Sequence, residues 1–325
     1  MQTVTPSLIQ DKRVLLRLDM DVVLQETGGE WEVGEQFRLE AGAPTLEMCL
    51  THAKSVVVMG HLGRPKGQKI ARLSVKPVAE WLKKKFTQKF QAKLDILENL
   101  RFDPREEPCD EGFAKELADM GDFFVNESFA AYRPAASTTV LPKLLPHAAG
   151  LRFAKEVGML TKVRENPSKP LVVIMGGAKV EDKLPVIEAM AKIADAVLVG
   201  GKLPLELNTT PRVLPPNVLV GKLNEAGMDI AQETVDSWKS LIGQAKMIVW
   251  NGPVGFVEQP ENDKSRKIAE LVIQSRAESI IGGGDTVAYL AKLKFLDQFK
   301  FVSTGGGAML EFLAKGTLPT IQALE

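Results

Sequence analysis

Leu171-Val172-Val173-Ile174-Met175-Gly176-Gly177-Ala178-Lys179 is the stretch that decides the fold. Its first five residues are apolar without alternation, which is how a strand covered on both faces reads. The glycines end the run and let the backbone turn sharply. The same grammar recurs in apolar runs at Val14–Leu18, Ser55–Met59, Phe123–Val125, Ala196–Val199, Met247–Trp250, Ser279–Ile281 and Phe301–Ser303. Between them lie helical patterns at Pro77–Phe86, Glu111–Met120, Leu184–Ile193, Glu233–Leu241 and Lys264–Ser275. Strands alternating with helices predict an α/β fold: parallel sheets covered on both sides, three layers deep.

A chain of 325 residues is long for one core, so two domains are expected. The stretch Leu151–Lys169 opens as a helix and closes on Arg164-Glu165-Asn166-Pro167-Ser168-Lys169-Pro170, and this proline and charge suggest a boundary. Lys+Arg and Asp+Glu are both 41, which argues against nucleic-acid binding by bulk charge. Any anion site must be built locally. Two cysteines, Cys49 and Cys109, show no metal spacing and read as reduced thiols. No signal peptide is visible at Met1-Gln2-Thr3-Val4, and no apolar run is long enough to span a membrane. A cytoplasmic protein is expected.

In open parallel sheets ligands bind beyond the carboxyl ends of the strands. In the second half these ends are Gly176-Gly177-Ala178-Lys179, Gly200-Gly201, Asn251-Gly252-Pro253, Gly282-Gly283-Gly284-Asp285-Thr286 and Gly305-Gly306-Gly307. A helix starting after such a turn offers unpaired N–H groups and partial positive charge to an anion. Repetition at successive strand ends points to a phosphate-binding crevice. Neither the P-loop nor the dinucleotide fingerprint occurs, so separate strand ends must hold the phosphates. Asp285 is open to two readings, a helix N-cap or a carboxylate for Mg²⁺. Lys179 and Lys183 share a helix face; a solvated pair and a phosphate pair are both compatible with that spacing.

The first half ends its strands differently. Asp19-Met20-Asp21 follows one run, and Gly60-His61-Leu62-Gly63-Arg64-Pro65 follows another. Arg38, Arg101 and Arg133 lie in Phe37-Arg38-Leu39-Glu40, in Leu97-Glu98-Asn99-Leu100-Arg101-Phe102 and after a further run. Arginine forks match phosphate and carboxylate oxygens. Gathered at one sheet end with His61, they would bind a small, multiply negative metabolite; scattered, they would be surface ion pairs of little worth.

These motifs, in this order, resemble phosphoglycerate kinase. The resemblance rests on Arg17-Leu18-Asp19, on Arg38 ahead of Ala43-Pro44-Thr45, and on Gly60-His-Leu-Gly-Arg-Pro-Lys-Gly67. It continues in Leu97-Glu-Asn-Leu-Arg101, Gly176-Gly-Ala-Lys-Val-Glu-Asp-Lys183 and Trp250-Asn-Gly-Pro-Val254. It ends with Gly282-Gly-Gly-Asp-Thr286, Val302-Ser-Thr-Gly-Gly-Gly307 and Leu318-Pro319.

The resemblance implies two Rossmann-like domains joined by a hinge helix. Residues 1–152 with the tail 314–325 would bind 3-phosphoglycerate or 1,3-bisphosphoglycerate, and residues 153–313 would bind Mg²⁺ with ADP or ATP. Closure would bring the two substrates together, in a monomer. By the family pattern, Asp19, Asp21, Arg38, His61, Leu62, Gly63, Arg64, Arg101 and Arg133 meet the phosphoglycerate. Gly177, Ala178, Lys179, Lys183, Gly201, Asn251, Pro253, Glu258, Gly283, Gly284, Asp285 and Thr286 meet the nucleotide, with Asp285 carrying the metal. Arg38, Lys179, Lys183, Gly305 and Gly306 would serve the transfer itself.

The chain departs from that pattern in three places. Asp21 stands where the family has asparagine; a carboxylate accepts but does not donate and repels an anion, which predicts weaker phosphoglycerate binding. Tyr132-Arg133-Pro134-Ala135 replaces the family's His-Arg-x-His. After Gly200-Gly201 comes Lys202 and a proline-interrupted stretch to Leu214-Pro215-Pro216, where the family has a longer segment that helps wall the adenine pocket. A more open nucleotide site is expected. A catalytically weak relative with a binding or regulatory role is the second reading, and a dehydrogenase is disfavoured by the missing fingerprint.

Overall fold

The computed structural model describes residues 1–90, 93–209, 213–257 and 264–325. The chain divides into two compact units, Met1–Gly158 with Thr317–Glu325, and Met159–Gly316. The division falls inside the helix Leu151–Glu165.

In the first unit β1 (Arg13–Arg17) is followed by a hairpin, β2 (Leu24–Thr27) with β3 (Glu30–Val33), and then by β4 (Ser55–Met59), β5 (Leu94–Ile96), β6 (Phe123–Asn126) and β7 (His147–Ala149). Apart from the hairpin they form one parallel sheet in the order β5-β4-β1-β6-β7. Val14, Leu15 and Leu16 are fully buried, as a central strand requires. The chain builds outward from β1 to β5, then crosses back to add β6 and β7 on the other side.

The second unit repeats this plan. Its strands are β8 (Leu171–Met175), β9 (Ala196–Val199), β10 (Val218–Val220), β11 (Met247–Asn251), β12 (Glu278–Gly282) and β13 (Phe301–Val302). The order is β10-β9-β8-β11-β12-β13, all parallel. Every residue of β8, β9 and β11 is buried. In both sheets the strand order reverses beside the first strand, at β1/β6 and at β8/β11, and a ligand crevice opens at such a reversal.

The eight apolar runs are all strands, and the α/β fold expected from them is present. Five strands went unannounced besides. β5, β7 and β10 each have three residues, too few to show a pattern. The hairpin, turning at Gly28-Gly29, is mostly polar and lies largely exposed. The stretch after Lys202 forms the helix Leu203–Thr209, because Pro204 falls in its first turn, where no N–H is needed. Among the described residues no helix is long and apolar enough to cross a membrane.

Candidate active site

In the first unit the sequence-derived residues gather beyond β1 and β4. Asp19 is buried just past β1. Arg38 sits in the first turn of the helix Phe37–His52. Its Nη1 donates to the Asp21 carbonyl at 2.8 Å and lies 3.5 Å from Asp19 Oδ1 and 3.7 Å from Asp21 Oδ2. Burial pushes the Asp19 carboxyl up, and Arg38 opposes it. Asp19 in turn is the main cause holding the Arg38 guanidinium more firmly charged.

The loop His61-Leu62-Gly63 is gripped along its backbone. Gly63 N–H donates to Asp21 Oδ1 at 2.8 Å, Gly63 O accepts from Arg101 Nη1 at 2.9 Å, and Leu62 O accepts from Asn99 Nδ2 at 2.8 Å. Asp21 thus has a partner of its own for the negative charge that, from sequence, was expected to repel a ligand. His61 is buried, with Nδ1 3.2 Å from Arg17 Nη2. Burial first, then Arg17, Arg101, Arg38 and Arg64 in falling order, keep the imidazole well below its usual range. Arg64 is exposed. Arg133 is exposed too, its guanidinium over the Tyr132 ring at 5.9 Å. The structure therefore brings Asp19, Asp21, Arg38, His61, Leu62, Gly63, Arg64 and Arg101 together and gives Arg133 no such partner.

Sequence reasoning passed over Glu127, which follows β6 and is buried. Its Oε1 accepts from the Thr45 hydroxyl at 2.5 Å and from Arg152 N–H at 3.0 Å; its Oε2 accepts from Phe153 N–H at 3.1 Å. Thr45 belongs to the helix that carries Arg38, and Arg152 and Phe153 open the helix Leu151–Glu165. One carboxylate thereby caps one helix and ties it to another. Burial pushes Glu127 from its ordinary 4.5 up to about 7, against the pull of those donors. In the unfolded chain the group loses its proton near 4.5, whereas the folded protein holds it to about 7. The resulting stability is fully present below the lower value and is lost as pH rises through the higher one. Relative to Glu127→Gln, wild-type protein is expected to lose about 3 kcal/mol between those limits. Unfolding free energies of both proteins at each end of the window test this, and a constant difference would place the titration elsewhere.

In the second unit three helix N-termini converge at the β8/β11 reversal. They open Val180–Ala191, Gly284–Lys292 and Gly306–Lys315. A cavity of ≈ 290 Å³ there is lined by Lys179, Lys183, Asn251, Asp285, Thr286 and Gly306, among others. Unpaired N–H groups, helix dipoles and two lysines on one cavity make an anion site. Lys183 Nζ donates to Asn251 Oδ1 at 2.5 Å, and Asn251 Nδ2 donates to Gly306 O at 3.3 Å. The Thr286 hydroxyl is buried and accepts from Gly252 N–H at 2.9 Å. Gly306 lies so close to Gly283 that a Cβ would sit 2.4 Å from the Gly283 Cα. Gly283, Gly284 and Gly307 also line the cavity, whereas Gly305 holds the cap position before the helix Gly306–Lys315. A second cavity of ≈ 170 Å³ shares Gly177, Ala178, Pro253 and Asp285, adds Gly201, and has apolar walls in Met228, Phe256 and Val257. Sequence reasoning did not find those three side chains. Glu258 lies outside the described residues.

Asp285 is exposed in the first turn after the cap position Gly283, so it is not itself the helix cap. It lines both cavities. Among the described residues no three His, Cys, Asp or Glu side chains form a metal cluster. One carboxylate beside a phosphate cradle suits Mg²⁺, which takes few protein ligands and completes its shell with phosphate oxygens and water.

A family model described as phosphoglycerate kinase matches residues 4–210 and 208–316. The phosphoglycerate kinase of Solibacter usitatus is 34% identical over 380 residues, covering 98% of this chain and 97% of the relative. That of Thermomicrobium roseum is 35% identical over 392 residues, covering 100% and 99%. Both alignments are longer than this chain of 325 residues, so the relatives carry stretches with no counterpart here. The two parts of the family match meet at 208–210, just past Gly201, where a missing segment was expected. Among solved structures, phosphoglycerate kinase from Coxiella burnetii superposes with a TM-score of 0.80 at 28% identity, covering 97% of this chain and 96% of that one. The enzyme from Pyrococcus horikoshii gives 0.83 at 25% identity, covering 100% and 98%. With the order of its motifs, its two reversed parallel sheets and matches that run its whole length, this chain belongs to the phosphoglycerate kinase family.

Proposed function

We propose that this chain is a working phosphoglycerate kinase, a phosphotransferase with a carboxyl group as acceptor, that runs 1,3-bisphosphoglycerate and ADP to 3-phosphoglycerate and ATP and back, in glycolysis. One observation carries the reading. Three helix N-termini, Lys179, Lys183 and Asp285 surround one cavity in the second unit. The cluster of arginines around His61 supplies the complementary anion site in the first.

In this reading a terminal phosphate oxygen of ADP attacks the phosphorus of the acyl phosphate. The P–O bond to the acyl oxygen breaks, and its electrons stay on the carboxylate of 3-phosphoglycerate. That leaving group is weakly basic, so no general base is required and catalysis rests on alignment and charge. Asp19, Asp21, His61, Leu62, Gly63, Arg64 and Arg101 form the phosphoglycerate side, and Arg133 reaches it only from its exposed turn. Arg38 offsets charge on the moving group. Lys179, Lys183 and the N–H groups at Gly305 and Gly306 do the same for the nucleotide phosphates. Gly177, Ala178, Gly201, Asn251, Pro253, Gly283, Gly284 and Thr286 shape the nucleotide cradle, with Glu258 on its ribose side. Asp285 would hold Mg²⁺, which when bound neutralises phosphate charge. The resemblance supports a monomer working in the cytoplasm.

Coupled detection of ATP tests the proposal. Purified protein supplied with 1,3-bisphosphoglycerate, ADP and Mg²⁺ is expected to form ATP, and chelation with EDTA is expected to lower the rate at least about a hundredfold. No ATP above the uncatalysed background would overturn it.

A further inference from the structure

Behind His61 lies a buried chain of side chains that the substrate cannot touch. Arg17, the last residue of β1, is 2% exposed, and Glu106 is 1% exposed. Arg17 Nε donates to Ser137 Oγ at 2.7 Å, and Ser137 Oγ donates onward to Glu106 Oε1 at 2.5 Å. Ser137 N–H reaches the other oxygen, Glu106 Oε2, at 3.0 Å. Arg17 Nη2 stands 3.9 Å from Glu106 and 3.2 Å from His61 Nδ1. Two hydrogen bonds thus fix the guanidinium, with Glu106 as its nearby countercharge, and one of the two is aimed at a single ring nitrogen.

A guanidinium has hydrogens to give and no lone pair to receive one. His61 Nδ1 must then be the acceptor, and the ring proton belongs on Nε2. The charges facing His61 agree. Arg17 on β1, Arg38 on the helix Phe37–His52, Arg101 on the turn Leu100–Phe102 and Arg64 on its own loop are all cationic. A further positive charge on the ring would be repelled by every one of them. We propose that Arg17, held by Ser137 and Glu106, is a positioning residue that keeps His61 as a neutral imidazole with its proton on Nε2, so that His61 meets the phosphoglycerate as a hydrogen-bond donor and not as a cation. The naming of that ligand rests on the proposed function; the protonation state does not.

The chain has three histidines, His52, His61 and His147, so ¹⁵N-histidine NMR resolves them, with His61→Gln as the assignment. Wild-type His61 is expected to show the Nε2–H pattern unchanged from pH 8 to about pH 5. Arg17→Met is expected to give mixed tautomers and to move the ring's titration upward, with burial and the remaining arginines still holding it below its usual range. It is also expected to raise KM for 3-phosphoglycerate about tenfold while kcat changes less than about threefold. Arg17→Lys should recover part of the KM. Should Arg17→Met fail to fold, Ser137→Ala removes one hydroxyl and is expected to shift tautomer and KM in the same direction. A wild-type His61 protonated at pH 7 or carrying its proton on Nδ1 would overturn the proposal, as would an unchanged His61 spectrum in the folded variants. An inactive wild type with the expected His61 spectrum would instead overturn the proposed function alone.

Discussion

Arg38→Ala is expected to lower turnover about a thousandfold, or ~4 kcal/mol of activation free energy, while ADP affinity changes less than about twofold. Arg38 is half-buried at the start of its helix, 3.5 Å from the buried Asp19. Truncation removes a positive charge from the anion site and leaves Asp19 without its nearest cation. Since burial already pushes Asp19 toward its neutral form, that carboxyl would take up a proton more readily, and the loop through Asp21 would lose the bond from Nη1 to its carbonyl. The cavity proposed for the nucleotide belongs to the other unit, which is why ADP binding should be spared. Arg38→Lys restores charge without the planar fork and should recover only part of the loss. Steady-state kinetics together with calorimetric ADP titration checks the split. Near wild-type turnover in the alanine variant would remove Arg38 from the chemistry.

Gly176→Ala is expected to destabilise the protein by about 3 kcal/mol or more and to abolish measurable ADP binding. An added Cβ would lie 2.1 Å from Pro253 O, 2.5 Å from Gly252 O and 2.6 Å from Pro253 C. All three are backbone atoms, so no side chain can swing aside. The two loops are also bonded to each other, Gly176 N–H to Asn251 O at 3.0 Å and Gly177 N–H to Pro253 O at 2.8 Å. Relief would have to come from spreading β8 and β11 at the point where both cavities open. Gly243→Ala, in a helix with nothing within 4 Å of the added carbon, is the control and should change stability by less than about 1 kcal/mol. Denaturant unfolding of both variants decides the matter; equal stabilities would show that the close approach at Gly176 carries no cost.

The fold was legible in the sequence because its central strands are unmixed apolar runs. Leu171–Met175 and Met247–Asn251 are buried at every position, so nothing polar interrupts them. Edge strands such as Val218–Val220 are also apolar but only three residues long, too short to stand out. The glycine-ended turns stood out as well, and the structure places Lys179, Lys183 and Asp285 on one cavity beside them; that this cavity holds phosphate is part of the proposed function. What could not be read was partnership. Arg17 stood inside a quoted motif, yet only the folded chain shows that it faces His61 and Ser137 and not solvent. Asp21 looked like a misplaced charge until its bond to Gly63 was seen. Met228, Phe256 and Val257 carry no spacing signal at all; they meet because separate loops converge.

The reversal of strand order has a further consequence, for how the chain reaches this state. In the first sheet β1 pairs with β4 through Val14 and Val56, but with β6 through Val14 and Phe123. In the second, β8 pairs with β9 through Val172 and Ala196, but with β11 through Leu171 and Met247. The pairing that opens each crevice is thus the one that must close the longer loop, and each doubling of loop length costs roughly 0.6 kcal/mol in entropy. Long-range parallel pairing is also slow. The sites proposed for the two ligands therefore sit on the joins that the chain finds hardest to make, and a ligand bound there would favour those same joins by mass action. On the proposed function, substrate and nucleotide would be reactants and also the last clasps of the two sheets.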